Sequence, residues 1–223
     1  MLKIENVEVV GWEAAIRGMR NPKNSWEKSD SSVVDGHSFF VGDNDFALMR
    51  TLANAGTDHG KFMRFITVTV DITAPLYWWK EFDTYKVGTV ANSCSTMHKI
   101  AAKEFARDDF SYEHLFDFVI GDVEFLPIEI LDNTITCLNM CREHYLTALK
   151  TEQSLVPAKD YWWQMIQLLP SSYNQRRTFM LNYAVLKNIY HARKDHKLDE
   201  WHTFCDWIES LQCSELITGK EKK

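Results

Sequence analysis

The chain has 223 residues, 45% hydrophobic and 25% charged, with 25 Lys and Arg against 31 Asp and Glu and a formal net charge of −6. This length supports one domain with a sizeable core, and the acidic balance argues against a general affinity for nucleic-acid backbones. No apolar run approaches the ~20 residues that a membrane span needs, and the opening MLKIENVEVV has no signal-peptide layout, so the five cysteines read as reduced thiols of a cytoplasmic protein.

Residues 2–10 alternate as a strand through Ile4, Val7 and Val9, and 12–20 follow as a short helix. Asn21 to Gly36 is polar and reads as a long mobile loop. A helix from Asp45 to Ala55 is N-capped around Asn44 and stopped by Gly56. Residues 62–72, FMRFITVTVDI, form the clearest strand, with Ile66, Val68, Val70 and Ile72 alternating against Thr67, Thr69 and Asp71. Ala74-Pro75 opens a helix through Tyr85. Residues 87–98 read as a loop or irregular strand. Helices are expected over 124–150, 158–168, 175–192 and 197–211, and residues 216–223 are expected to be a disordered tail. Strands early and helices late give an α+β class, with a single domain over 1–215.

Two polar groups stand out. On the helix expected after Pro170, Asn182, Leu186, Ile189 and Arg193 fall at i, i+4, i+7 and i+11, on one face. A guanidinium among apolar residues needs an anion. That anion is either an internal carboxylate, with Asp199 and Glu200 close in sequence, or a bound phosphate or carboxylate gripped in bidentate fashion. The second group is Asn92, Ser93, Ser95, Thr96 and His98, short polar side chains that serve either a turn or a phosphate. No glycine-rich phosphate loop, nucleophile elbow or His-Glu-x-x-His motif is present. Cys137 and Cys141 have no further ligand at zinc spacing, so no metal site is expected and both read as buried small residues. The pairs Trp78-Trp79 and Trp162-Trp163 read as core, with a subunit interface or a ring-stacking wall as alternatives.

The run Leu169-Pro170, Asn182, Asn188, Arg193 resembles the C-terminal pattern of the flavin-dependent thymidylate synthases in its intervals. Phe62 with the strand after it, the helix over 75–86 and Asn92-Ser93-Cys94-Ser95 resemble the segments around that family's signature, so the similarity spans 45–211. The resemblance implies an α+β fold, a twisted sheet packed with long helices. It implies a homotetramer with sites between subunits, FAD as cofactor, and methylene transfer from methylenetetrahydrofolate to deoxyuridylate with reduction by NADPH. It assigns nucleotide contacts to Arg193, Asn92, Ser95, Lys86 and Tyr85, and flavin contacts to Asn188, Asn182 and Arg64; it assigns no catalytic residue.

The chain departs from the family at charged positions. The signature Arg-His-Arg is Tyr85-Lys86-Val87, a second nucleotide-binding arginine is Ile166, and Phe-Glu-His near the flavin is Phe62-Met63-Arg64. At about 1.5–3 kcal/mol per charged hydrogen bond, three lost cations weaken anion binding by orders of magnitude. Lys86, Arg64, Arg176 and Arg177 are the candidates to compensate. Three readings stay open: a divergent flavin enzyme acting on a pyrimidine nucleotide, a non-catalytic protein that binds or sequesters a nucleotide or nucleotide-like signal as phage and viral proteins can, and an interaction protein without a small ligand.

Overall fold

The computed structural model describes residues 2–34, 36, 38–151 and 154–220. In chain order, β1 (Lys3–Val10) and α1 (Trp12–Arg20) lead through two 3-10 turns to a short hairpin, β2 (Ser32–Val34) and β3 (Ser38–Phe40). Then come α2 (Asp43–Asn54), a 3-10 turn over Gly60–Arg64, β4 (Thr67–Pro75), α3 (Leu76–Phe82), β5 (Val90–Ser93) and α4 (Thr96–Lys99). A second hairpin, β6 (Phe118–Ile120) and β7 (Val123–Phe125), precedes α5 (Pro127–Ala148) and α6 (Ala158–Leu168). The chain closes with β8 (Asn174–Asn182), α7 (Tyr183–Arg193), α8 (Asp199–Ser210) and α9 (Glu215–Thr218). The main sheet has the strand order β1-β4-β8-β5, and both hairpins are antiparallel. This is an α+β fold.

The chain forms two compact units. The first holds 73–82 and 93–177. Its core is Ile100, Phe105, Phe110, Leu131, Leu138 and Met165, built where α5 packs on α6. Trp78 and Trp79 are fully buried in the same unit, with the Trp79 indole N–H donating to the Gln175 carbonyl at 2.9 Å and the Arg177 guanidinium 4.2 Å from the Trp79 ring centre. Trp163 is exposed. The first tryptophan pair is therefore core and offers no face for a base to stack on.

The second unit holds 2–72, 83–92 and the residues from 178 on. Its core runs from Ile66, Val68, Val70 and Ile72 to Leu186, Ile189, Tyr190, Trp201 and Phe204, all buried. The Trp12 ring meets the Tyr183 ring edge-on at 5.3 Å.

Within this unit, the polar stretch after α1 is tied down rather than mobile. Arg20 and Asp45 are both buried, and Arg20 Nε donates to Asp45 Oδ1 at 2.6 Å. Ser29 and Ser31 donate their hydroxyls to Asp45 Oδ2, each at 2.7 Å. The remaining Arg20 nitrogens donate to the Ser25 and Lys28 carbonyls. Burial alone would raise the Asp45 carboxyl, but the hydrogen bonds from Ser29, Ser31 and Arg20 and the Arg20 charge outweigh it and hold the group below its ordinary value.

Several boundaries differ from the sequence expectations. β8 occupies 174–182, where a helix was expected from 175. Alternation decides it: Gln175, Phe179 and Leu181 are buried while Arg176 and Thr178 are exposed. The strand expected over 62–72 is a 3-10 turn followed by β4 from Thr67. α2 begins at Asp43, two residues before the expected start, and it is not capped by Asn44. The Asp30 carboxylate accepts from the Asn44 and Asp45 N–H groups at 2.8 and 3.0 Å and caps the helix from outside. Residues 123–125 belong to β7, and α5 starts only at Pro127. Cys137 is exposed and Cys141 half-buried, so neither is a core residue. The expected disordered tail is folded through α9, because Leu216 and Ile217 are buried; residues 221–223 lie outside the described residues. Among the described residues no helix is long and apolar enough to cross a membrane.

Candidate functional site

In the second unit, α7 begins where β8 ends, and Asn182 makes the junction. Its side chain accepts from the Val185 N–H at 3.1 Å, which caps the helix and fixes the first turn. Gly88 packs against this corner with φ +76°, and a Cβ there would stand 3.3 Å from the Asn182 amide nitrogen. Replacing Asn182 with Ala should cost about 1 kcal/mol through loss of the cap, read as a lower urea midpoint.

The cap, the turn over 84–88 and the end of the 3-10 turn at Arg64 enclose a cavity of about 480 Å³. Arg64, Tyr85, Lys86, Asn182 and Asn188 all line it. These five residues, 124 positions apart at the extremes, were each singled out in the sequence. Among the described residues neither Arg64 nor Lys86 has a carboxylate partner, and no hydrogen bond engages the Asn188 amide. A second cavity of about 370 Å³ shares Arg64, Ala184 and Asn188 with the first. Its wall is Ala53, Gly60 and Met63, with Lys187 and His191 at its edge. Lys187 donates to the Ala53 carbonyl at 2.8 Å, and burial pushes its ammonium below the ordinary lysine value.

Arg193, the last residue of α7, stands behind this cavity and not in its lining. Its Nε donates to the Tyr85 hydroxyl at 2.8 Å. Its guanidinium lies 4.8 Å from the Trp201 ring centre and 5.6 Å from that of Tyr85. The sequence offered a carboxylate or a bound anion as its partner; aromatic faces and a phenol were missed. Cation–π contacts of this kind contribute about 0.5–2 kcal/mol each. Arg193 thus fixes the Tyr85 side chain, which forms part of the cavity wall.

Ser95 and Asn92 are not brought to this cavity. Asn92 is exposed in β5. Ser95 belongs to the first unit, where its hydroxyl accepts from the His98 N–H at 3.1 Å and caps α4. It lines a separate cavity of about 380 Å³ with Thr96, Lys99 and Arg176. That cavity is held in shape by Cys94, whose N–H donates to the Arg176 carbonyl at 2.9 Å and whose carbonyl accepts from Gln175 at 2.8 Å. Lys99 was not anticipated in the sequence; only its position one turn after Ser95 marked it.

Chemically, the second-unit site combines two cations, an amide and a phenol edge around a pocket of ligand size. It suits an anionic ligand with a polar ring.

No protein-family model and no curated protein matches the sequence. Solved structures do match. Thymidylate synthase X (ThyX) from Helicobacter pylori, crystallised with FAD and dUMP, superposes with a TM-score of 0.62 at 15% identity, over 98% of this chain and 97% of that one. A second structure of the flavin-dependent ThyX from the same organism, also with FAD and dUMP, gives 0.61 at 16% identity over 96% and 97%. The UMP/dUMP methylase PolB from Streptomyces cacaoi, bound with 5-Br dUMP, gives 0.59 at 14% identity over 98% and 95%. The α+β architecture and the near-complete coverage agree: this chain has the fold of the flavin-dependent thymidylate synthases.

Proposed function

We propose that the protein is a divergent thymidylate synthase-like protein that binds, or acts on, a pyrimidine nucleotide. The observation that carries this reading is Arg64 and Lys86, both without a carboxylate partner among the described residues, on one cavity with Tyr85, Asn182 and Asn188. The two cations would meet phosphate oxygens. The Asn188 amide, a donor and an acceptor in one group, matches the polar edge of a pyrimidine. Arg193 would act as a positioning residue through Tyr85. Ser95, with Lys99 and Arg176, supplies a second set of phosphate partners in its own cavity.

The second cavity fits a flavin ring in kind. Its wall at Ala53, Gly60 and Met63 is apolar, and Asn188 and Arg64 stand on the rim that it shares with the nucleotide cavity. Bound there, FAD would supply hydride transfer, and methylenetetrahydrofolate and NADPH would be the co-reactants of a full methylation. In that reaction the chain's own residues would hold the phosphates and orient the rings. The alternative, a non-catalytic nucleotide-binding or nucleotide-sequestering protein, is favoured by two observations: the Tyr85 hydroxyl is bound to Arg193, and the signature positions 85–87 carry one cation, Lys86. We place either form in the cytoplasm.

Calorimetric titration with UMP and dUMP tests the shared reading. Wild type should bind, and Arg64→Ala or Lys86→Ala should each weaken binding about 10- to 100-fold, as expected for one charged hydrogen bond. Wild type that ignores both nucleotides would sink it. Absorbance at the flavin bands of the purified protein, before and after addition of FAD, separates the two forms.

A further inference from the structure

Lys187 lines the second cavity and has no part in the proposed function. Ala184, Lys187, Asn188 and His191 fall at i, i+3, i+4 and i+7 of α7, so one face of the helix presents all four to the cavity. The wall around them is small and apolar at Ala53 and Gly60, which leaves about 370 Å³ beside the amine. Lys187 donates to the Ala53 carbonyl at 2.8 Å. It has no carboxylate partner among the described residues, and no Asp or Glu lines the cavity. Lysines taken out of water are ordinarily paired with an acid. Here burial acts without one and lowers the Lys187 pKa, which enlarges the share of neutral amine at a given pH. The neutral amine carries a free electron pair, and desolvated lysines are known imine formers. Arg64, equally without a carboxylate among the described residues, lines the same cavity and supplies a forked cation for a phosphate.

We propose that Lys187 is a nucleophile that forms an imine with a small aldehyde bearing a phosphate, and that Arg64 holds the phosphate. The amine nitrogen attacks the carbonyl carbon. Its two protons leave with the carbonyl oxygen as water, and a C=N bond replaces the C=O bond; nothing is oxidised or reduced. Once protonated, the imine keeps one N–H for the Ala53 carbonyl, so the bond that positions the amine survives the reaction. The inference concerns the flavin-free protein. It stands apart from the nucleotide reading, which titration with UMP and dUMP tests by itself.

Incubation of the full chain with pyridoxal phosphate tests this. Borohydride then reduces the imine to a stable secondary amine, and peptide mass spectrometry locates the modified lysine. Lys187 should be labelled about tenfold faster, or more, than the exposed Lys61 and Lys197, as expected for an amine held beside its bound partner. Pyridoxal, which lacks the phosphate, should lose most of that lead, and so should Arg64→Ala treated with pyridoxal phosphate. Lys187→Met, shown to be folded by far-UV circular dichroism, should lose the fast phase of imine absorbance. Labelling of Lys187 no faster than of the exposed lysines overturns the proposal, and so does a fast phase that survives Lys187→Met. A lead that pyridoxal keeps in full also overturns it, since the phosphate would then have no role.

Discussion

Asp45→Ala is expected to lose about 3–5 kcal/mol of folding stability, because it leaves Arg20 buried without its counter-charge. Asp45 is fully buried and Arg20 nearly so. The substitution also removes the acceptor for two serine hydroxyls and for the Asp30 and Ser31 N–H groups. Urea denaturation should show the loss as a lower midpoint with little change in slope. A double variant, Arg20→Met with Asp45→Ala, should lose less than the sum of the two single variants, since the orphaned charge is gone. A loss below about 1 kcal/mol in Asp45→Ala would show that the pair is not the tie that its geometry indicates. The pH dependence has a definite sign. The folded-state pKa is depressed, so the stabilisation is fully present above the ordinary carboxylate pKa of 3.8 and is lost as pH falls through the lower folded value.

The second large effect is expected from Gly11→Ala. Gly11 has φ +93°, and a Cβ there would lie 1.9 Å from the Phe65 carbonyl oxygen. Backbone strain and the forced displacement together should cost about 3–5 kcal/mol. Phe65 follows Arg64, so the displaced backbone also moves a cation of the proposed nucleotide site. Nucleotide affinity should therefore fall with the melting temperature. Gly36→Ala is the control: its φ is +73° but nothing lies within 4 Å of the added carbon. It should cost only about 1–2 kcal/mol and leave affinity intact. Equal losses in both would mean that the close approach to Phe65 relaxes without cost.

The parts of the fold legible in the sequence were those where one period ran cleanly. β1, α1 and α6 lie where alternation or helical spacing put them, and the buried set Val68, Val70, Ile72 of β4 follows its alternation. β8 was hidden because a polar residue fills a buried slot. Gln175 belongs there since its amide donates to the Cys94 carbonyl, a partner 81 positions away. The helical spacing from Leu186 to Arg193 was real, and it was carried backwards too far, across the cap at Asn182. The hairpin at 118–125 had a local signal, two apolar runs around Gly121-Asp122. Only its last two residues, Glu124 and Phe125, fell within the helix expected over 124–150, and the rest drew no reading.

At the site, Tyr85 and Lys86 were read as nucleotide contacts and Arg64, Asn182 and Asn188 as flavin contacts; spacing cannot say that these five line one cavity, nor which cations end without a carboxylate partner. Arg193 shows the limit more sharply. Its position asked for a partner, and two aromatic rings and a phenol provide one, contacts that depend on the packing of α8 against α7.

That arrangement gives the protein an optical handle. The Trp201 indole is sealed from water, stands 6.2 Å from the Tyr85 ring and bears a fixed positive charge over its face. A ligand of the proposed site that engages Tyr85 is expected to shift the Arg193 guanidinium and, through it, the emission of Trp201, one of eight tryptophans in the chain.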